Sequence, residues 1–71
     1  MAKNKWIKVK TGRDFSRWRH SSKDEMILVS YEPIFQNWNF KVIRNGVIIR
    51  SMMTRTRTQA TKLANNYIKT N

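Results

Sequence analysis

Polar and apolar residues alternate along short stretches of this chain, and then the period changes. Trp6-Ile7-Lys8-Val9-Lys10 alternates and stops at Thr11-Gly12. Met26-Ile27-Leu28-Val29-Ser30-Tyr31 stops at Glu32-Pro33, and Trp38 to Arg44 and Val47 to Met52 form two further runs. β-branched and aromatic residues dominate all of them, which predicts strands. Asn45-Gly46 separates the last two. Both residues tolerate positive φ, as a type I′ hairpin turn requires. After Thr56 the period lengthens: Ala60, Leu63, Ala64, Tyr67 and Ile68 recur on one face of a helix, with Lys62, Asn65, Asn66 and Lys69 on the other. Thr56 and Gln59 have capping-box spacing. Ser22 and Glu25 share that spacing, but the run after them reads as strand, so residues 13–25 are expected to form a loop.

These elements predict an α+β domain: an antiparallel sheet of three to four strands with one C-terminal helix packed on one face. The whole chain, 1–71, reads as one small domain, with 1–5 and 70–71 expected to fray. A two-residue turn at Asn45-Gly46 fixes the hairpin register. It pairs Arg44 with Val47, Val42 with Ile49 and Phe40 with Ser51 on one face. On the other it pairs Ile43 with Ile48, Lys41 with Arg50 and Asn39 with Met52. The face with Trp38, Phe40, Val42, Val47 and Ile49 is assigned to the core. If Ile7 and Val9 also face inward, the outer face carries Trp6, Lys8, Lys10, Lys41 and Arg50. Lys41 opposite Arg50 is an unfavourable pair, and an anion between them would explain it.

Composition turns that face into a candidate site. Fifteen Lys and Arg oppose four Asp and Glu, giving a formal net charge of +11 on 71 residues. A field of that size costs stability through self-repulsion unless a polyanion meets it. The charge is spread through patterned sequence, which suggests a folded basic surface rather than a disordered arm. Lys and Arg neutralise phosphates and an aromatic ring stacks on an exposed base. Two further groups fit the same chemistry. Arg17 and Arg19 flank Trp18, which either stacks on a base or plugs one end of the core. Arg55 and Arg57 precede the helix, whose free amides can themselves bind phosphate. Simple solvation of an outer strand face would account for any one of these residues. The set together points to an acidic partner.

Other classes find no support. There is no Cys, hence no disulfide or thiolate metal site, and His20 is the only histidine. The carboxylates Asp14, Asp24, Glu25 and Glu32 form no catalytic set with it, and a lone loop histidine reads as surface decoration. No enzyme activity, metal or cofactor is expected. The basic N-terminus lacks the apolar run of a signal peptide, and no stretch approaches the ~20 apolar residues of a membrane span. A cytoplasmic location, nucleoid-associated if DNA is the partner, is the expectation.

From Trp38 onward the chain resembles a known module: aromatic-rich strand, Asn45-Gly46 turn, basic strand ending Arg50-Ser51, then Thr56 and a helix carrying Ala60, Leu63 and Ala64. It looks like the three-stranded sheet plus helix of the arm-type DNA-binding domains of tyrosine-recombinase integrases and of plant ethylene-response-type domains. In those families the outer sheet face lies in the DNA major groove. The resemblance implies that Lys8, Lys10, Lys41 and Arg50 are the readers here. Val47-Ile48-Ile49 is more apolar than such a strand. A small phage or mobile-element protein is the expectation from size. The leading function is non-enzymatic nucleic-acid binding, DNA favoured over RNA. The alternative is a modulator that binds an acidic host protein through Ile43, Ile48 and Met52 with a basic rim. A weak homodimer through this face or an edge strand is a third.

Overall fold

Each strand pairs with the strand next to it in sequence. The computed structural model describes residues 5–70. It contains β1 (Trp6–Thr11), β2 (Phe15–His20), β3 (Glu25–Glu32), β4 (Asn37–Arg44), β5 (Val47–Thr54) and α1 (Arg57–Thr70). All pairings are antiparallel, and the five-stranded sheet has the order β1-β2-β3-β4-β5. This is the expected α+β architecture with one strand more than expected. The fraying predicted for 1–5 and 70–71 falls largely outside the described residues; Thr70 is helical, and its Oγ1 donates to the Asn66 carbonyl at 3.0 Å.

The additional strand is β2, inside the stretch expected to be a loop. It alternates cleanly: Ser16, Trp18 and His20 are buried while Arg17 and Arg19 point the other way. Two of the three buried residues are polar, so a search for apolar alternation does not find them. The turn before it is tight. The Gly12 amide donates to the Phe15 carbonyl at 2.8 Å, and a Cβ at Gly12 would lie 2.7 Å from the Phe15 ring. The turn after it is held by His20, whose Nδ1 accepts the Ser22 and Lys23 amides at 3.1 and 3.0 Å. His20 is therefore a buried structural residue, not surface decoration. Its ring also meets Trp6 edge-on, with centroids 5.0 Å apart.

The core lies between one sheet face and α1. The sheet contributes Trp6, Trp18, Ile27, Val29, Phe40 and Val42; the helix contributes Ala60, Ala64 and Tyr67. The two alanines let the helix backbone lie close to the sheet. Ile27, Val29 and Val42 are fully buried, each worth about 2 kcal/mol by removal from water. The helix start matches the sequence reading, with one change. Thr56 Oγ1 accepts the Gln59 amide at 3.2 Å, but Gln59 Oε1 reaches past Thr56 to the Arg55 amide at 3.1 Å.

Two polar anchors fasten the helix. Near its start, Arg57 turns onto the β1–β2 turn. Its Nη atoms lie 2.8–2.9 Å from the carbonyls of Gly12, Arg13 and Phe15 and from Ser16 Oγ, and its guanidinium covers the Trp38 ring at 5.2 Å. Towards its end, the Tyr67 hydroxyl donates to Glu25 Oε2 at 2.6 Å, and Arg44 Nη2 reaches the same oxygen at 2.9 Å. Burial pushes the Glu25 carboxyl up, but the Tyr67 and Arg44 donors outweigh it and hold it below its ordinary value. Burial first, and then the Glu25 carboxylate, push the Tyr67 hydroxyl above its ordinary value.

Two one-residue bulges decide which side chains face out. Asn45 (φ 51°) and Gly46 (φ 79°) make the expected turn, and Arg44–Val47 and Ile43–Ile48 pair as predicted. The register then shifts: Val42 pairs with Arg50, Lys41 with Ser51, Phe40 with Met52 and Asn39 with Met53. Ile49 is the extra residue. The expected Lys41–Arg50 pair is thus absent, and a like-charge clash is removed with it. Arg50 sits on the helix side, its guanidinium 5.7 Å from the Tyr67 ring centre. On β1 the shift falls between Lys8 and Lys10, with Val9 extra. Trp6 and Lys8 lie on the helix side and Ile7 on the open side, the reverse of the expectation. A buried tryptophan removes far more apolar surface from water than an isoleucine.

Candidate nucleic-acid interface

The sheet face away from α1 is uncovered. Partners on neighbouring strands share a face, so the pairings give its layout in rows. One row runs Lys10, Arg17, Leu28, Lys41, Ser51. The next runs Ile7, Arg19, Met26, Ile43, Ile48, and a third, at the opposite side of the first, runs Phe15, Ser30, Asn39, Met53. With strands ~4.8 Å apart and alternate residues ~7 Å apart, Arg17 has Lys10 and Arg19 as near neighbours and Lys41 two strands away. Among the described residues these four cations make no ion pair and no side-chain hydrogen bond; the one ion pair there is Arg44–Glu25. The one carboxylate on the strands of this face, among the described residues, is Glu32 at its far end, where Oε2 accepts the Ile34 amide at 3.0 Å.

Of the ten residues singled out from sequence, the fold brings Lys10, Arg17, Arg19 and Lys41 onto this face. Trp6 and Trp18 are core residues, so the second of the two readings of Trp18 holds. Lys8 lies over the Trp18 ring at 5.2 Å on the helix side. Arg50 is on the helix side, and Arg57 is engaged with the β1–β2 turn. Arg55 is exposed at the β5–α1 junction. The arginines expected on a loop are instead held in a strand, at alternate positions of β2.

Burial of two tryptophans leaves other apolar groups in the open. Ile34 and Phe35, in the β3–β4 turn, are 81% and 73% exposed. That turn is shaped by Pro33, by the Glu32–Ile34 hydrogen bond and by Gln36 at φ 53°, a conformation that costs a non-glycine residue strain. An apolar pair beside a proline, between two strand patterns, is the sequence signal that points to it.

Among the described residues no group of three or more His, Cys, Asp or Glu could hold a metal ion, and no helix is long and apolar enough to cross a membrane. Comparison of the chain with known protein families, with curated proteins and with solved structures finds no match.

Proposed function

We propose that this protein binds nucleic acid without catalysis, DNA in preference to RNA, through the β1–β2 side of the open sheet face. The observation that carries the reading is the cluster of Lys10, Arg17 and Arg19 on two adjacent strands, with no carboxylate partner among the described residues. A five-stranded sheet is roughly 20 Å broad, wider than the ~12 Å major groove, which admits a two-stranded ribbon. The β1–β2 ribbon fits that groove, and Lys41, two strands away, faces the flanking phosphates. The guanidinium forks of Arg17 and Arg19 suit phosphates or guanine edges. With Trp6 and Trp18 in the core, aromatic contact falls to Phe35 at the hairpin tip and Phe15 on the face. The aromatic strand, Asn45-Gly46 turn, basic strand and helix that carried the resemblance to integrase arm-type domains form β4, β5 and α1, and Lys10 and Lys41, two of the readers that resemblance implies, share the open face with Arg17 and Arg19.

Binding is dominated by phosphate neutralisation, so affinity for duplex DNA falls with salt at a slope of about −0.9 per phosphate contacted. The test is a salt titration against a random duplex, a single strand and an RNA hairpin, with wild type and the Arg17→Glu/Arg19→Glu variant. Both positions point away from the core, so the variant keeps its fold by circular dichroism. Unchanged duplex affinity in that variant would sink the reading. The acidic-protein alternative draws its support from a different surface, the β5 edge.

A further inference from the structure

We infer that the free edge of β5 accepts an extended acidic peptide, which adds to the sheet as a sixth strand. β5 is hydrogen-bonded to β4 on one side and is the last strand of the sheet, so among the described residues its outer row of backbone N–H and C=O groups has no strand partner. Such an edge templates another strand unless charge, proline or a cover blocks it. Beyond the bulge at Ile49, Arg50 to Thr54 form a regular stretch, and none of these residues is acidic or proline. Met52 and Met53 are 48% and 66% exposed.

The surroundings select the occupant. Between β5 and α1 lies an open groove of about 660 Å³, with Met52, Met53 and Leu63 as apolar lining and Arg55, Lys62 and Asn66 along it. Arg50 borders the adjoining hollow against Tyr67. No Asp or Glu occurs from Arg44 to Thr70, while Arg44, Arg50, Arg55, Arg57, Lys62 and Lys69 all do. A strand laid on this edge alternates its side chains. One set runs beside Met52 into the groove, and the other runs beside Ser51 and Met53. Apolar groups in the first set fill the groove, and carboxylates beside them meet Arg50, Arg55 and Lys62. A second copy of this chain is a poor occupant. It brings another +11 and offers no carboxylate from its own β5. A nucleic-acid backbone has no alternating donors and acceptors with which to extend a ladder.

The site is independent of the open-face cations, so its test is independent of the DNA reading. The probe is a blocked octapeptide, Thr-Val-Thr-Glu-Thr-Val-Thr-Glu, whose alternate residues put Val and Glu together in the set that enters the groove; it is titrated into the full chain by calorimetry at low salt, with amide hydrogen exchange as a second readout. The expected result is binding that protects β5 amides. Two versions of the peptide, N-methylated on alternate backbone nitrogens in one phase or the other, separate strand addition from plain charge attraction. At least one of them binds about tenfold more weakly if the backbone ladder forms. Arg55→Glu/Lys62→Glu also weakens binding about tenfold, whereas Arg17→Glu/Arg19→Glu leaves it unchanged. Equal binding of all three peptides overturns the proposal, and so does loss of binding in the Arg17/Arg19 variant. No peptide binding together with a concentration-dependent dimer in sedimentation overturns it in favour of a second copy. The methylated peptides are tested on wild-type protein, so the outcome does not depend on any variant folding.

Discussion

The two edges of this one sheet carry opposite chemistry. β1 presents Lys8 and Lys10, a bulge at Val9 and a buried Trp6. β5 presents Val47, Ile48, Ile49, Met52 and Met53, with Arg50 as its one charge. Lysines and bulges are how edge strands avoid pairing with other chains. The first edge is guarded in that sense, and the same lysines suit a phosphate backbone. The second edge has a bulge but no such guard over Arg50 to Thr54. On the two readings proposed above, one antiparallel meander offers a polyanion one side and a peptide strand the other. The bulk charge of the chain does not reveal that division.

Four changes test the contrast directly, and a fifth serves as its control. The largest effect is expected from Arg17→Glu/Arg19→Glu beside the β1 edge. Affinity for a random duplex at low salt should drop about 100-fold, about 2.7 kcal/mol. Fluorescence anisotropy reads it, and Met53→Lys at the other edge should not reduce that affinity. Next, Arg57→Ala strips the β1–β2 turn of the guanidinium that Gly12, Arg13 and Phe15 carbonyls share. It should cost about 2 kcal/mol in a urea melt. Hydrogen exchange should rise in β1 and β2 before β5. Gly46→Ala works on the opposite edge. At φ 79° an added Cβ is strained although no atom lies within 4 Å of it. A loss of about 1 kcal/mol is expected, with exchange rising first in β5.

Met53→Lys should change stability by less than about 0.5 kcal/mol, since the side chain is largely exposed. It should nevertheless remove any concentration-dependent association seen by light scattering, by giving β5 the guard that β1 has. The control is pH, which acts on the centre and favours neither edge. The Glu25 carboxyl is lowered in the folded protein. Its contribution is therefore present above the unfolded value, 4.5, and is lost as pH falls through the lower folded value. Tyr67 is raised, so its contribution is complete below 10.0 and is lost as pH rises through the higher folded value. Melting temperature in Glu25→Gln should show a flatter acid limb than wild type.

Much of the fold was legible because it rests on local chemistry. The Asn45-Gly46 turn, the Thr56 cap and the 60/63/64/67/68 stripe each follow from what neighbouring residues can do. β2 was not legible, because its inward residues include Ser16 and His20, whose burial depends on partners far along the chain. The facing of the site was lost for a different reason. A single extra residue at Val9 or Ile49 turns over every side chain beyond it, and period-two reasoning carries no marker for where that residue falls. The unbulged hairpin did contain one warning, the Lys41–Arg50 clash. Read as a misfit rather than as an anion site, it predicts the slip that the structure shows. Lys10 and Lys41 still reach the open face, whereas Arg50 and Lys8 do not.

Arg57 bears on time as well as on shape. Its bonds close loops of 41 to 46 residues between the start of the helix and the first turn of the sheet. Contacts so distant along the chain carry a large closure entropy and tend to form after the neighbouring hairpins have zipped. Interactions made late set how fast a fold comes apart more than how fast it assembles. This guanidinium works as a clasp. Its removal should appear mainly in the unfolding limb of a chevron, shortening the lifetime of the closed molecule while the hairpins beneath it form at nearly their former pace.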